Sequence, residues 1–167
     1  MMRKLFSAIL PTPLGSLIAV GDTQALYLLQ FADSVVISRL VRRLEQKFEG
    51  PLIPDLTPPL LKIKEEVKQY FDGMREFSTP MVVCGIHFQN RVFEKLKSIP
   101  PGETRSYAQI AQAIGQPTAT RAVGQAIGCN PLIIAIPCHR VIRSDGTLGG
   151  YSNGIERKEW LLKHEGF

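Results

Sequence analysis

The chain has 167 residues, of which 44% are apolar and 21% are charged, and its formal net charge is +5 at pH 7. This composition is ordinary for a globular protein made of one domain, or of a small domain joined to a second. No run of about 18 apolar residues occurs, which excludes a transmembrane helix. The basic excess permits a polyanionic partner but does not by itself require one.

Short apolar runs alternate with turn residues in the first part of the chain, and this pattern predicts a small antiparallel sheet. The strands are expected at residues 7–10, 17–20 and 25–31. A helix is predicted from Ser34 to Gly50, because apolar residues recur there along one helical face. A second helix is predicted to begin with Thr57 as its cap and Pro58 at its first position.

Residues 76–85 have the pattern of a linker with one short strand, and we place a domain boundary there. A helix is then predicted over residues 88–99. Ser106 and Gln109 form a predicted capping box at the start of the next helix, which ends at Gly115. Another short helix over residues 118–127 follows a tight turn, so the pair is a candidate helix-turn-helix, although any helical hairpin would fit the same spacing.

These elements predict an α+β fold with two domains. Residues 1–84 would form a small N-terminal α/β domain with a short antiparallel sheet. Residues 85–167 would form a mainly helical C-terminal domain with a winged-helix-like helix-turn-helix, closed by a final helix over residues 156–164.

The predicted helix over residues 118–127 consists of small residues with one cation, Arg121. Small side chains allow a helix backbone to approach a nucleic-acid groove, and one long cation can reach a base stack or a phosphate. A tightly packed core helix with a solvated Arg121 is the alternative interpretation.

The three cysteines, Cys84, Cys129 and Cys138, are odd in number and irregularly spaced. This indicates free thiols in a reducing compartment, and we expect a cytoplasmic protein. Cys84 and His87 have a spacing found in metal sites, but no second ligand pair follows, so we expect no bound metal.

Cys138 follows the apolar run 132–136 directly after Pro137, and His139 and Arg140 come next. A cysteine at the end of an apolar run is usually an inert core residue. A neighbouring imidazole and a cation nevertheless predict a reactive thiol with a depressed pKa.

The sequence Pro137-Cys138-His139-Arg140-Val141 resembles the active-site motif of the O6-alkylguanine-DNA alkyltransferases. The resemblance covers residues 88–167 densely and in order, whereas the N-terminal half resembles the family only loosely, through residues 12–15. The further matching motifs are Ser106-Tyr107, residues 121–124, Asn130-Pro131, Tyr151-Ser152, residues 158–162 and residues 164–166.

The resemblance implies an enzyme that repairs double-stranded DNA by a single, stoichiometric alkyl transfer to its own cysteine. The expected substrates are O6-alkylguanine and O4-alkylthymine. The resemblance implies no cofactor, no membrane and a monomer. Cys138 would attack the alkyl carbon, His139 would take the thiol proton through a water, Glu165 would orient His139, and Asn130 would brace the turn that carries Cys138.

The resemblance also assigns residues around the damaged base. Tyr107 would donate a hydrogen bond to the guanine ring, and the carbonyl of Val141 would accept one from its amino group. Tyr151 and Ser152 would line the alkyl pocket, and Lys158 would hold its wall.

The target base would have to flip out of the duplex, because an atom inside the stack cannot be reached. Arg121 would fill the vacated stack while its helix, including Ala122, lies along the minor groove. Ala108, Gln116 and Ser144 would contact the DNA backbone.

One departure from the family concerns Asn153, which stands where many members carry glycine, so tolerance for bulky alkyl groups stays open. Three alternative functions have to be distinguished from this one. A non-catalytic lesion sensor would lack Cys138, and a helix-turn-helix regulator would need a further metal-binding domain. A cysteine hydrolase would separate its cysteine and histidine in sequence.

Overall fold

The computed structural model describes residues 3–167. The chain divides into a first unit that ends at Val83 and a second unit, Cys84–Phe167. The assignment of functions to two domains with a boundary after residue 84 stays a prediction. None of the helices in the described part of the chain combines the length and apolar character that crossing a membrane requires.

The first unit contains a four-stranded sheet with the strand order β3-β2-β1-β4. The first three strands pair antiparallel, as expected, whereas β4 pairs parallel with β1. The parallel edge strand β4 was not predicted from the sequence. A strand of three residues is too short to show an alternating pattern, so the sequence carries no signal for it. The strands are β1 Leu5–Leu10, β2 Leu17–Gly21, β3 Leu26–Phe31 and β4 Leu52–Pro54.

Two helices complete the first unit, α1 Ile37–Phe48 and α2 Pro58–Phe71. The apolar side of α1 packs on the buried side chains of the sheet, with Leu40 and Leu44 in the same core cluster as Tyr27. Thr57 precedes α2 as predicted, but its hydroxyl does not cap the helix. It donates instead to the carbonyl oxygen of Asp22 at 2.9 Å.

The last residues of the first unit are attached to α2 by Glu66, a buried residue of that helix. Its carboxylate accepts hydrogen bonds from the backbone and the hydroxyl of both Ser78 and Thr79. The short strand predicted here is reduced to a single bridge between Met81 and Leu26.

The second unit is mainly helical, and the predicted capping box is confirmed. The hydroxyl of Ser106 accepts from the backbone N–H of Gln109 at 3.1 Å, and the Gln109 side chain accepts from the backbone N–H of Ser106 at 2.8 Å. A turn that contains Gly115, with φ +72°, joins α4 to α5. The α+β fold is confirmed. The elements are α3 His87–Lys97, β5 Arg105–Ser106, α4 Tyr107–Ala113, α5 Thr120–Gly128, β6 Val141–Ile142 and α6 Ile155–His164, with β5 and β6 paired in parallel.

Candidate active site

The apolar run before Cys138 is a buried turn rather than a strand. Ile134 has φ +69°, a left-handed conformation that strains a β-branched residue by about 1–3 kcal/mol. Asn130 holds the turn from inside: its Nδ2 donates to the carbonyl of Ile136 at 2.8 Å, and its Oδ1 accepts from the backbone N–H of Leu132 at 3.0 Å. Asn130 therefore lies inside the turn that carries Cys138, and its part in the reaction stays a prediction.

Cys138 begins a short 3-10 helix, Cys138–Arg140, and is only 4% exposed. Burial raises the pKa of the Cys138 thiol, and the Asn130 side chain and the Lys158 ammonium oppose this rise only in part. The expectation of a depressed pKa is therefore wrong, because desolvation disfavours the thiolate. The cysteine rests as a protonated thiol, and its proton has to leave as the sulfur reacts.

A buried carboxylate, Glu165, links the two residues that follow Cys138. The Nε2 of His139 lies 2.8 Å from Oε1 of Glu165. Nε and Nη2 of Arg140 each donate a hydrogen bond of 2.8 Å to the same carboxylate. Its Nη1 donates to the carbonyl of Ile99 at 2.5 Å. Burial would raise the pKa of Glu165, but the hydrogen bonds from Arg140 and His139 hold it far below its usual range.

This pairing determines which nitrogen of His139 is basic. An ionised carboxylate only accepts hydrogen bonds, so Nε2 of His139 carries the proton and Nδ1 carries the lone pair. Burial lowers the pKa of His139, which keeps the ring neutral, and Glu165 opposes this shift. Within residues 3–167, Nδ1 is buried and has no hydrogen-bond partner, so it is available to accept a proton.

Lys158 is the second buried cation near Cys138, with 1% of its surface exposed. Its Nζ donates to the carbonyl of Val141 at 2.6 Å and to that of Gly150 at 3.2 Å. Burial lowers the pKa of Lys158 to about 8, although the nearby Cys138 favours the charged form. Lys158 thus ties the strand after the cysteine to the 149–150 loop, and it leaves the Val141 carbonyl one further lone pair.

Tyr107 lies at the first turn of α4, half-buried between two glycines. A Cβ at Gly149, where φ is +74°, would stand 3.3 Å from the Tyr107 hydroxyl, and one at Gly124 would stand 3.8 Å from the ring. Burial, and then the nearby Cys138, raise the pKa of Tyr107. Its hydroxyl therefore remains a hydrogen-bond donor at neutral pH.

The loop after Gly150 carries the expected pocket residues. Tyr151 is half-buried, and Ser152 is exposed with its hydroxyl 3.4 Å from the Gly128 carbonyl at the end of α5. Asn153 is buried. The amide atoms of Asn153 have no hydrogen-bond partner among the described residues.

The expected DNA contacts lie on the outside of the second unit. Arg121 on α5, Gln116 in the α4–α5 turn and Ser144 in the turn after β6 are exposed, whereas Ala108 and Ala122 are half-buried on their helices. All five are therefore at positions that a large ligand could reach.

A sequence comparison identifies the family. A methylated-DNA–protein-cysteine methyltransferase of Shigella flexneri is 38% identical over 171 residues, which cover 99% of this chain and 98% of the relative. The chain belongs to the methylated-DNA–protein-cysteine methyltransferase family. The family model described as "6-O-methylguanine DNA methyltransferase, DNA binding domain" matches residues 87–167. A methyltransferase of Methanosarcina acetivorans is 36% identical across 97% of this chain and 99% of its own length.

A solved structure of the methyltransferase family has the same fold. Mycobacterium tuberculosis OGT, crystallised in complex with DNA, superposes with a TM-score of 0.81 at 36% identity and covers 97% of this chain and 92% of that one. This likeness supports the α+β architecture across both units.

Two features of this methyltransferase site were missed from the sequence. Arg140 was expected to favour the thiolate by its charge, but that charge is paired with Glu165, 25 residues away. Lys158 was expected to support a wall, and its contacts with Val141 and Gly150 are compatible with that, but the burial of its ammonium near Cys138 was not foreseen. The sequence signal for this burial was the position of Lys158 among the apolar residues that pack α6. A buried lysine needs specific hydrogen-bond acceptors.

Proposed function

We propose that this chain repairs DNA by transferring the alkyl group of O6-alkylguanine to Sγ of its own Cys138. The observation that carries the proposal is the combination of the buried Cys138 thiol with a neutral His139, whose Nδ1 is unpartnered among the described residues and whose Nε2 is held by Glu165. The domain from residue 85 to 167 would carry both DNA binding and chemistry.

In the transfer step, Sγ of Cys138 forms a bond to the alkyl carbon as the bond from that carbon to O6 breaks. The thiol proton passes to Nδ1 of His139 through a water, and the electron pair of the broken bond stays with the guanine. Tyr107 donates a hydrogen bond to the departing base, and Lys158 stabilises the charge that develops on the sulfur.

The base would be read by the residues that surround it. The carbonyl of Val141 accepts from the guanine amino group with its remaining lone pair, while Tyr151 and Ser152 line the alkyl pocket. The same pocket would admit O4-alkylthymine. The product is a thioether, which no residue of the site can cleave, so each molecule acts once.

DNA would be held by the outer surface of the second unit. The α5 helix, with Arg121 and Ala122, lies along the minor groove, and Arg121 occupies the stack that the flipped base leaves. Ala108, Gln116 and Ser144 contact the phosphate backbone. We further propose that the protein acts as a monomer. We also propose that it acts in the cytoplasm, since its three cysteines are free thiols.

The decisive test is intact-mass spectrometry after incubation with duplex DNA that contains O6-methylguanine. We expect the protein to gain one methyl group, and peptide mapping to find it on Cys138. Cys138→Ser should gain none, whereas Cys129→Ser, at another free thiol of the same unit, should react like the parent. Several turnovers per molecule, or a methyl group on Cys84, would overturn the proposal. A chain that binds the lesion without reacting would be a lesion sensor instead.

A further inference from the structure

The first unit carries a basic surface that the alkyl transfer does not use. Four exposed cations on α1, namely Arg39, Arg42, Arg43 and Lys47, form this surface. Successive residues of a helix are about 100° apart, so these four side chains fall within an arc of about 140°. Leu40 and Leu44 anchor the opposite side of α1 in the core. We call the four cations the α1 basic face.

Some cations of α3 and α6 are balanced by ion pairs, whereas, in the part of the chain that the structure describes, the cations of the α1 basic face are not. In α3 Lys97 pairs with Glu94, and in α6 Lys163 pairs with Glu159. Among the described residues, no ion pair involves any of the four cations of the α1 basic face. Like charges four residues apart destabilise a helix by a few tenths of a kcal/mol per pair, so this arrangement is maintained at a cost in stability.

We propose that the α1 basic face binds the phosphate backbone of double-stranded DNA, in addition to the contacts of the second unit. This inference rests on the proposed function, which makes DNA the ligand of the chain. The face extends over about 12 Å along the helix from residue 39 to residue 47. One DNA strand presents a phosphate about every 3.4 Å along its axis, so four cations match roughly four phosphates.

The composition of the face favours this partner over a lipid surface. A helix that lies in a membrane inserts its apolar side, and the apolar side of α1 is already buried against the sheet. The exposed arc consists of the four cations and Gln46, which lies between them. Contacts of such side chains with phosphates carry no sequence information directly, which suits a protein that has to search DNA of any sequence.

The test compares two double variants with the same change in charge. The variant Arg39→Gln/Arg43→Gln removes from α1 two exposed cations that are four residues apart. The variant Lys64→Gln/Lys68→Gln removes an equivalent pair from α2. Affinity for an unmodified duplex is measured by fluorescence anisotropy from 50 to 200 mM salt. We expect the α1 variant to lower the slope of log K against log salt by about 1.8, or 0.9 per lost phosphate contact, while the α2 variant keeps the parent slope.

Two further readouts decide the other outcomes. Transfer from free O6-methylguanine to Cys138 should be unchanged in both variants. If the parent protein itself fails to transfer the methyl group, the proposed function is refuted. The DNA contact of the α1 basic face would still be decided by the affinity measurements. In the parent protein, duplex DNA should protect Lys47, but not Lys64 or Lys68, from acetylation. Equal slopes for both variants and the parent, equal losses in both variants, or an unprotected Lys47 would each overturn the assignment.

Discussion

The second unit holds two groups of proposed functional residues that differ in their exposure to solvent. Glu165, His139 and Arg140 are buried, and their side chains are paired within 2.8 Å. Arg121 and Gln116 are exposed on the α4–α5 surface. Removing one partner of the buried group leaves a charge that water cannot reach, whereas a change on the surface is compensated by solvent. Substitutions in the two groups should therefore affect different properties of the protein.

The largest effect is expected for Glu165→Gln. This change removes the carboxylate that pairs with Arg140 and orients His139. We expect transfer to fall by about 100-fold or more on duplex and free base alike, and the free energy of unfolding to fall by about 3 kcal/mol. Single-turnover rates and urea unfolding measure both quantities, and DNA affinity should be nearly unchanged.

The matched control is Glu159→Gln, on the same helix as Lys163, its exposed partner. An exposed pair of this kind is worth less than about 1 kcal/mol, so stability and rate should stay near those of the parent. A Glu165 variant that binds DNA weakly but reacts at the parent rate would contradict the assignment of Glu165 to the proton relay.

Arg121→Ala tests the exposed group. If Arg121 fills the space left by the flipped base, its loss should slow repair of a duplex by about tenfold, because flipping costs a few kcal/mol that the side chain helps to offset. Transfer from free O6-alkylguanine, which needs no flipping, should be unaffected. The control is Lys163→Ala, which removes an exposed cation from another helix of the unit. Equal losses on both substrates would mean that Arg121 supports the pocket or the fold.

A smaller effect is expected from Ala122→Leu. A bulky side chain at this half-buried position of α5 should hold the helix away from the groove and weaken DNA binding several-fold, by about 1 kcal/mol. The affinity for unmodified duplex is the measurement, and transfer from the free base is the internal control. Ala113→Leu at the exposed end of α4 should leave affinity unchanged. An unaltered affinity for Ala122→Leu would exclude α5 from the DNA interface.

The contrast between buried and exposed residues also explains what the sequence could predict. The Ser106–Gln109 capping box is a contact between residues three apart, so its residue types are sufficient evidence. The pairing of Arg140 with Glu165 joins residues 25 apart through the packing of α6, and no local pattern encodes it. The resemblance supplied the role of Glu165, but it did not supply this pairing.

The same distinction applies to the chemistry of Cys138. The neighbours of Cys138 in the sequence suggested an ionised thiol, but its environment is set by Asn130 and Lys158, which come from other parts of the chain. Burial then outweighs the charges, because removing water penalises the thiolate directly. A pKa therefore cannot be inferred from adjacent residues when the packing around them is unknown.

The smallest effect is expected in the dependence of the free energy of unfolding on pH. This dependence should come from the buried His139. Burial lowers the pKa of His139 from 6.5, so the folded protein does not take up a proton that the unfolded chain binds as the pH falls through 6.5. Stability should therefore be lost towards acid, by about 1 kcal/mol between pH 6.5 and 5.5. Glu165, whose pKa is lowered from 4.5, adds to this loss only at lower pH.

Urea unfolding at several pH values between 5.5 and 7.5 measures this slope for the parent, for His139→Gln and for His87→Gln. The loss of stability should disappear in the His139 variant, because glutamine takes up no proton in either state. It should persist when His87, an exposed residue at the start of α3, is replaced. A slope that survives in His139→Gln would show that the imidazole is protonated in the folded protein. His139 could not then accept the thiol proton at Nδ1.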